Sequence, residues 1–248
     1  MTSRITSVFL LFLVVGCSGS SEPEAVENAV ADAPVASEAD APPADAQAHH
    51  DTGDLPLEFR LAFMSGHVNT GITLYRAGEP EAAAPHLLHP VSESYAEERE
   101  GLDEVGFDAS LFETVSAALE RGETADAIAS ELAAAEAHLD AISETVGGDQ
   151  VAIIRYLMET IADEYAVGVD GTEIVNAGEY QDAYGFMIEA QQRAAMLAET
   201  EAFAVQQPLA ALAGLFSDVP RDGEVVTDES IVVMAAQAVA AALAGDDD

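Results

Sequence analysis

Two histidines and a glutamate lie close together in the first half of the chain, at His86, His89 and Glu93. On a continuous helix, spacings of three and seven residues place all three side chains on one face. Imidazole and carboxylate together form a ligand set suited to zinc, iron, copper or manganese. His67 lies on a neighbouring predicted helix and adds a further imidazole, because the two helices of a hairpin touch. The spacing therefore predicts a site for a divalent transition metal: iron, copper or zinc.

Other interpretations of these residues stay open at this point. Pro90 removes a helical hydrogen bond and can turn the chain between His89 and Glu93. Histidines near the end of a helix also stabilise its last carbonyls and its dipole without any metal. No fixed catalytic or metal motif, such as H-E-x-x-H, is present. We therefore expect a binding protein and not an enzyme.

The elements that must position these residues are helices. Apolar residues recur at helical spacing from Pro56 onward, and no strand-like alternation of any length is present. We predict an all-α fold, a bundle of about seven to nine helices built from antiparallel hairpins, in one domain over residues 55–245. The predicted helices cover approximately residues 56–77, 80–88, 90–106, 108–122, 128–146, 151–165, a stretch from 176, 207–217 and 228–244.

The N-terminus predicts export. Arg4 precedes a short apolar run over 8–15, which is far below the roughly 20 residues that span a bilayer and suits a cleaved signal peptide. The sequence Val-Val-Gly-Cys ending at Cys17 resembles the bacterial lipobox. That resemblance implies a signal peptide over residues 1–16 and fatty acids, palmitate among them, on Cys17. Ser18 in place of aspartate favours the outer membrane, facing the periplasm. An ordinary secreted protein is the alternative.

The composition of the segment after the signal peptide and the net charge of the chain restrict its possible binding partners. Residues 17–54 consist mainly of Ser, Glu, Ala, Asp and Pro and predict a disordered acidic tether behind the lipid. A net charge of −38 argues against binding to nucleic acid, because the phosphates would be repelled. The expected partners are the membrane, through the lipid anchor, and an envelope protein of metal uptake. Adaptation to salty water explains the acidic surface equally well.

Two Glu-Tyr pairs flank a glycine turn in the second half of the chain: Glu164, Tyr165, Glu179 and Tyr180. Residues 153–190, about this turn, resemble the extracytoplasmic helical segment of bacterial high-affinity iron permeases. The resemblance implies an envelope role linked to metal acquisition, and it implies that these four residues matter. The sequence shows no long hydrophobic permease helix, so we do not expect this chain itself to transport iron. From the residues alone, Glu179 equally suits a capping box for a helix beginning at Asn176, with the tyrosines packing the hairpin.

The architecture is also similar to that of imelysin-like periplasmic lipoproteins. Their G-x-H-x-x-E motif is incomplete here, because the glutamate is missing after Gly66-His67. The sequence therefore leaves three alternative functions, which we give in order of preference. The first is a lipid-anchored metal-binding protein accessory to iron uptake, the second a non-catalytic helical scaffold for another envelope protein, and the third an imelysin-like enzyme.

Overall fold

The computed structural model describes residues 54–92 and 95–244. The predicted signal peptide, Cys17, the tether up to residue 53 and Glu93 lie outside these ranges. Within them, no helix has both the length and the apolar character needed to cross a membrane.

The described chain is mostly helical. Its helices in chain order are α1 (Leu57–Arg76), α2 (Pro80–His86), α3 (Ala96–Arg99), α4 (Ala109–Glu120), α5 (Ala129–Val146), α6 (Gln150–Gly168), α7 (Ala177–Ala194), α8 (Glu199–Ala213) and α9 (Glu229–Ala242). The glycine turn after α6 forms a small antiparallel hairpin of β1 (Val169–Asp170) and β2 (Glu173–Ile174). The all-α prediction is confirmed. The short hairpin was not predicted, because the sequence shows no strand-like alternation of apolar and polar residues.

Helix starts follow the sequence signals in part. The side chain of Asp108, where the fourth helix is predicted to begin, accepts a hydrogen bond from the backbone N–H of Ser110 and caps α4. Asn176 precedes α7, but its side chain makes no capping hydrogen bond, so the predicted capping box is wrong. The helix predicted near 207–217 begins earlier, at Glu199, because Pro208 lies inside α8 and not in its first turn.

The predicted helix over 90–106 is also wrong. The chain instead turns over residues 87–91, forms the short α3, and then a 3-10 turn, Asp103–Val105. Pro90 cannot continue a helix from α2 because it lacks the backbone N–H. Gly106 then has a φ of 92°, in the left-handed region that stops a helix and favours glycine. His89 therefore does not continue the helical face of His86.

Helix α1 lies between two apolar clusters. One cluster fills the ring formed by α6, α7, α8 and α9, in which each helix packs on the next and α9 returns to α6. The other is built mainly from α1, α2, α4 and α5. Leu61 and Met64 of α1 belong to the second cluster, while Ala62 and Phe63 of the same helix belong to the first. Both faces of α1 are thus buried.

Two glycines allow α1 and α7 to approach closely. A side chain at Gly185 of α7 would overlap the carbonyl oxygen of Gly66 and the hydroxyl of Thr70, both on α1. A side chain at Gly66 would in turn overlap the ring of Phe186. Glycine is required at this crossing because any Cβ would force the helices apart. The close approach sets the neighbouring polar residues of the two helices side by side.

Candidate metal centre

The three histidines singled out from the sequence come together in the interior. His67 lies on α1, His86 is the last residue of α2, and His89 lies in the following turn. Each is no more than 3% exposed. The ring of His67 stacks on that of His89 with their centroids 3.6 Å apart, and its centroid is 6.3 Å from that of His86. Tertiary packing brings them together, since α2 ends at His86 and no single helical face carries the set.

A carboxylate that sequence reasoning missed completes the cluster. Asp182 of α7 is 1% exposed, and its Oδ1 accepts hydrogen bonds from Nδ1 of His67 at 2.6 Å and from Nδ1 of His86 at 2.8 Å. One ligand atom from each of the three residues lies within 4.8 Å of the other two. Two imidazoles and one carboxylate therefore form a group that could hold a metal ion.

The second nitrogen of His86 also has a polar partner. Nε2 lies 3.0 Å from Oε1 of Gln181, whose own Nε2 donates to the carbonyl of Pro220 at 3.1 Å. The bond to Pro220 sets the orientation of the amide, so Oε1 is the atom that accepts from His86. Both ring nitrogens of His86 therefore have a polar partner, Asp182 at Nδ1 and Gln181 at Nε2. Were an ion to take the place of the Nδ1 proton, the bond to Gln181 would still hold the ring, as in known metal sites.

The remaining nitrogen of His67 has a different environment. Its Nε2 is buried, and within residues 54–92 and 95–244 it has no hydrogen-bond partner. The aromatic rings of Phe63 and Phe186 pack edge-on against the imidazole. His67 is therefore held on one side by Asp182 and on the other by apolar contacts, which orient the ring without competing for Nδ1.

Asp182 is a permanent anion at neutral pH. Burial acts to raise its pKa, but the two imidazoles and their hydrogen bonds outweigh burial and hold the pKa of Asp182 well below its usual range. A carboxylate that stays ionised in the interior is an effective ligand for a cation, and buried charges in proteins are normally paired or bound to metal.

A second histidine–carboxyl pair adjoins the first. Nδ1 of His89 lies 3.1 Å from both carboxyl oxygens of Glu98 on α3. Burial raises the pKa of Glu98 to about 8; the charge of Arg99 opposes this and that of Asp182 adds to it. At neutral pH Glu98 therefore retains its proton. Arg99 also holds the turn in place, because its Nη1 donates to the carbonyl of His89 at 3.1 Å. Glu98 is thus the carboxyl group that the structure places beside His89.

The donor set fits a transition ion after a small expansion. Bonds of about 2.0–2.2 Å keep neighbouring ligand atoms about 3.0–3.4 Å apart in octahedral or tetrahedral sites. The two N–O separations at Asp182, 2.6 and 2.8 Å, are those of hydrogen bonds. Coordination would require the atoms to spread by a few tenths of an ångström and Nδ1 of each imidazole to lose its proton. Nitrogen and oxygen ligands of this kind suit zinc, iron and copper.

The Glu-Tyr pairs are buried within the four-helix ring: Glu164, Tyr165, Glu179 and Tyr180. The hydroxyl of Tyr165 donates to the carbonyl of Thr227 at 2.7 Å, and that of Tyr180 lies 3.3 Å from the hydroxyl of Ser217. The tyrosine rings contact each other edge to face, with centroids 5.8 Å apart. These tyrosines tie the segment between α8 and α9 to the bundle and are not brought into the histidine cluster.

The ring of α6 to α9 matches the model of a known domain family. Residues 143–245 match the family of the iron permease-associated 4-helix bundle domain. The resemblance predicted for residues 153–190 is confirmed, and it extends over the whole ring. No curated protein and no solved structure matches the chain.

The matched domain supplies only part of the candidate metal centre. Asp182 lies inside the matched range, whereas His67, His86, His89 and Glu98 precede it. The match relates this part of the chain to a domain associated with iron permeases. The histidines come from the helices that pack against that domain.

Proposed function

We propose that this protein binds one divalent transition metal through His67, His86 and Asp182, as an accessory to iron uptake in the cell envelope. The observation that carries the proposal is a fully buried carboxylate held between two imidazole nitrogens. Removing such charges from water is costly unless pairing or metal coordination offsets the cost. The match to an iron permease-associated domain favours iron over copper and zinc as the ion. The role is binding and not catalysis.

Coordination would exchange protons for the ion. Nδ1 of each imidazole donates a hydrogen bond to Asp182, so ligation through these atoms requires the proton on each Nδ1 to leave that nitrogen. Binding should therefore weaken as pH falls, because a doubly protonated imidazole cannot ligate. The His89–Glu98 pair lies next to His67 and offers further ligands. The net charge of −38 attracts cations to the protein as a whole.

The location forms part of the proposal. The protein would be exported, cleaved before Cys17 and attached to the envelope by fatty acids on that cysteine. The outer membrane is the proposed site. A stable anchor requires more than one acyl chain, as lipoproteins of this kind carry. The lipid would keep the helical domain near an envelope metal-uptake protein, which is the proposed partner.

Calorimetric titration of the full chain with Fe(II), and with Zn(II) for comparison, tests the proposal. Asp182→Asn keeps the size of the side chain and an oxygen acceptor but removes the charge. It should lower metal affinity by at least the 10- to 100-fold typical of changes around a metal ligand. Asp163→Asn, at an exposed position on α6, is the matched control and should bind as the parent does. Equal affinity in all three proteins would refute the proposed site, provided that circular dichroism shows each to be folded.

One observation favours a second function, that of a scaffold. Phe203 on α8 is 80% exposed and borders a groove of about 530 Å³ that Ala194 of α7 and Leu209 of α8 also line. Exposed apolar surface of this kind is typical of protein-binding sites. If the scaffold is the main function, Phe203→Ser should abolish binding of the metal-uptake partner, whereas Asp182→Asn should leave it unchanged.

A further inference from the structure

A cleft of about 500 Å³ opens between α1, α5 and α7. Its size lies in the range of about 300–1,000 Å³ that is typical of small-molecule sites. The lining residues do not include the proposed metal ligands. Buried polar side chains form the floor: Ser65, Ser143, Glu189 and Arg193. Carboxylates of α5 form the rim: Glu136, Asp140 and Glu144.

The guanidinium in the floor is rigidly held. Arg193 is 1% exposed; its Nε donates to Oε1 of Glu189 at 2.7 Å and its Nη2 to the hydroxyl of Ser143 at 3.0 Å. The other oxygen of Glu189 accepts from Asn69 at 3.3 Å. Glu189 is thus held by Asn69 through one oxygen and binds the arginine through the other. Two independent bonds therefore set the direction in which the rest of the guanidinium points.

Two donors that line this cleft remain unsatisfied. Nη1 of Arg193 and the hydroxyl of Ser65 are buried, and neither has a hydrogen-bond partner in the part of the chain that the structure describes. An unpaired buried donor is costly, most of all when it is charged, and calls for an explanation such as a bound group. Their presence on two different helices of one cleft points to a ligand with an oxygen acceptor.

The carboxylates of the rim favour a positively charged group on the ligand. Asp140 and Glu144 are exposed and one helical turn apart, whereas Glu136 already pairs with Arg76 at 2.6 and 2.7 Å. A simple anion would be repelled by the two rim carboxylates that remain, and a simple cation would leave the donors of the floor unpaired. A ligand that carries both a carboxylate and an ammonium group satisfies both ends of the cleft.

We propose that this cleft binds a small zwitterion of the amino acid type. Its carboxylate accepts from Arg193 and Ser65, and its ammonium group faces Asp140 and Glu144. The site is independent of the metal centre, so the failure of either proposal leaves the other standing.

Calorimetry on the full chain in 0.15 M salt tests the charge pattern, since diffuse attraction is screened beyond about 8 Å at that concentration. The probes are L-lysine, its decarboxylated analogue 1,5-diaminopentane, and hexanoate, which lacks the amines. L-lysine should bind with one-to-one stoichiometry, and the other two compounds at least about tenfold more weakly, since each leaves one end of the cleft unpaired. Absence of lysine binding would overturn the proposal. Equal binding of the diamine would also overturn it, because the acidic rim alone would then explain the result.

Two conservative variants test the residues. Ser65→Ala and Asp140→Asn should each weaken L-lysine binding about three- to tenfold, the effect of one lost hydrogen bond or ion pair. Glu113→Gln, at an exposed position on α4 outside the cleft, is the control and should leave binding unchanged. Unchanged binding in both cleft variants would place the lysine elsewhere and overturn the proposal. Neither variant alters a proposed metal ligand, so metal affinity should remain that of the parent.

Discussion

Replacing Glu98 with glutamine should flatten the pH dependence of the free energy of unfolding between about pH 5 and 8. Burial raises the pKa of Glu98 from 4.5 to about 8. The folded protein therefore holds a proton that the unfolded chain releases above about pH 4.5. The stabilisation associated with this proton is fully present below pH 4.5 and decreases as pH rises towards 8. Glutamine has nearly the shape of the protonated carboxyl group and does not titrate.

The magnitude follows from the shift between 4.5 and about 8. At 1.36 kcal/mol per pH unit, this shift corresponds to an upper limit of about 5 kcal/mol, with a slope of at most about 1.4 kcal/mol per unit. Urea unfolding of the parent and of Glu98→Gln at pH 5, 6, 7 and 8 measures the difference in slope. Glu100→Gln is the control, because Glu100 is exposed and its replacement should not change the slope. Equal slopes for the parent and Glu98→Gln would show that the carboxyl group is ionised when folded and would refute the reasoning.

The remaining predictions concern packing and export. Gly185→Ala should lower the free energy of unfolding by about 1–3 kcal/mol, because the added methyl group overlaps α1. A melting temperature equal to that of the parent would contradict the close approach of α1 and α7. Gly214→Ala is the control, since its nearest neighbour lies at 3.4 Å. Tyr165→Phe should lower the free energy of unfolding, measured in urea, by about 1 kcal/mol because one hydrogen bond is lost. Its metal affinity should remain unchanged. Cys17→Ser should abolish labelling with fatty acid and retention in the membrane fraction, and label that persisted would disprove the lipobox interpretation.

Local sequence signals predict most of the helices, because they depend on the spacing of apolar residues and on caps such as Asp108. They fail after His86, since Pro90 interrupts the helical register on which the choice of Glu93 depended. The carboxyl group beside His89 is that of Glu98, nine residues along the chain. A spacing rule for a continuous helix cannot identify a residue that reaches its partner through a turn.

Asp182 was missed for a different reason. It lies 115 residues from His67, and only the packing of α7 on α1 brings the two together. One signal in the sequence could have indicated it. Asp182 precedes Phe186 by one helical turn on a helix buried over most of its length, and a charge on such a face is expected to have a partner. The partner itself depends on the glycine crossing of Gly66 and Gly185, which no local pattern reveals.

The most direct test of the central claim is the position of the ion. Crystals of the full chain grown with Fe(II) or Zn(II), measured at the absorption edge of the metal, would locate it by anomalous scattering. We expect one dominant peak at about 2.0–2.2 Å from Nδ1 of His67, Nδ1 of His86 and Oδ1 of Asp182, with the bond from His86 to Gln181 retained. Peaks confined to surface carboxylates, with both histidine–aspartate hydrogen bonds still in place, would contradict the claim.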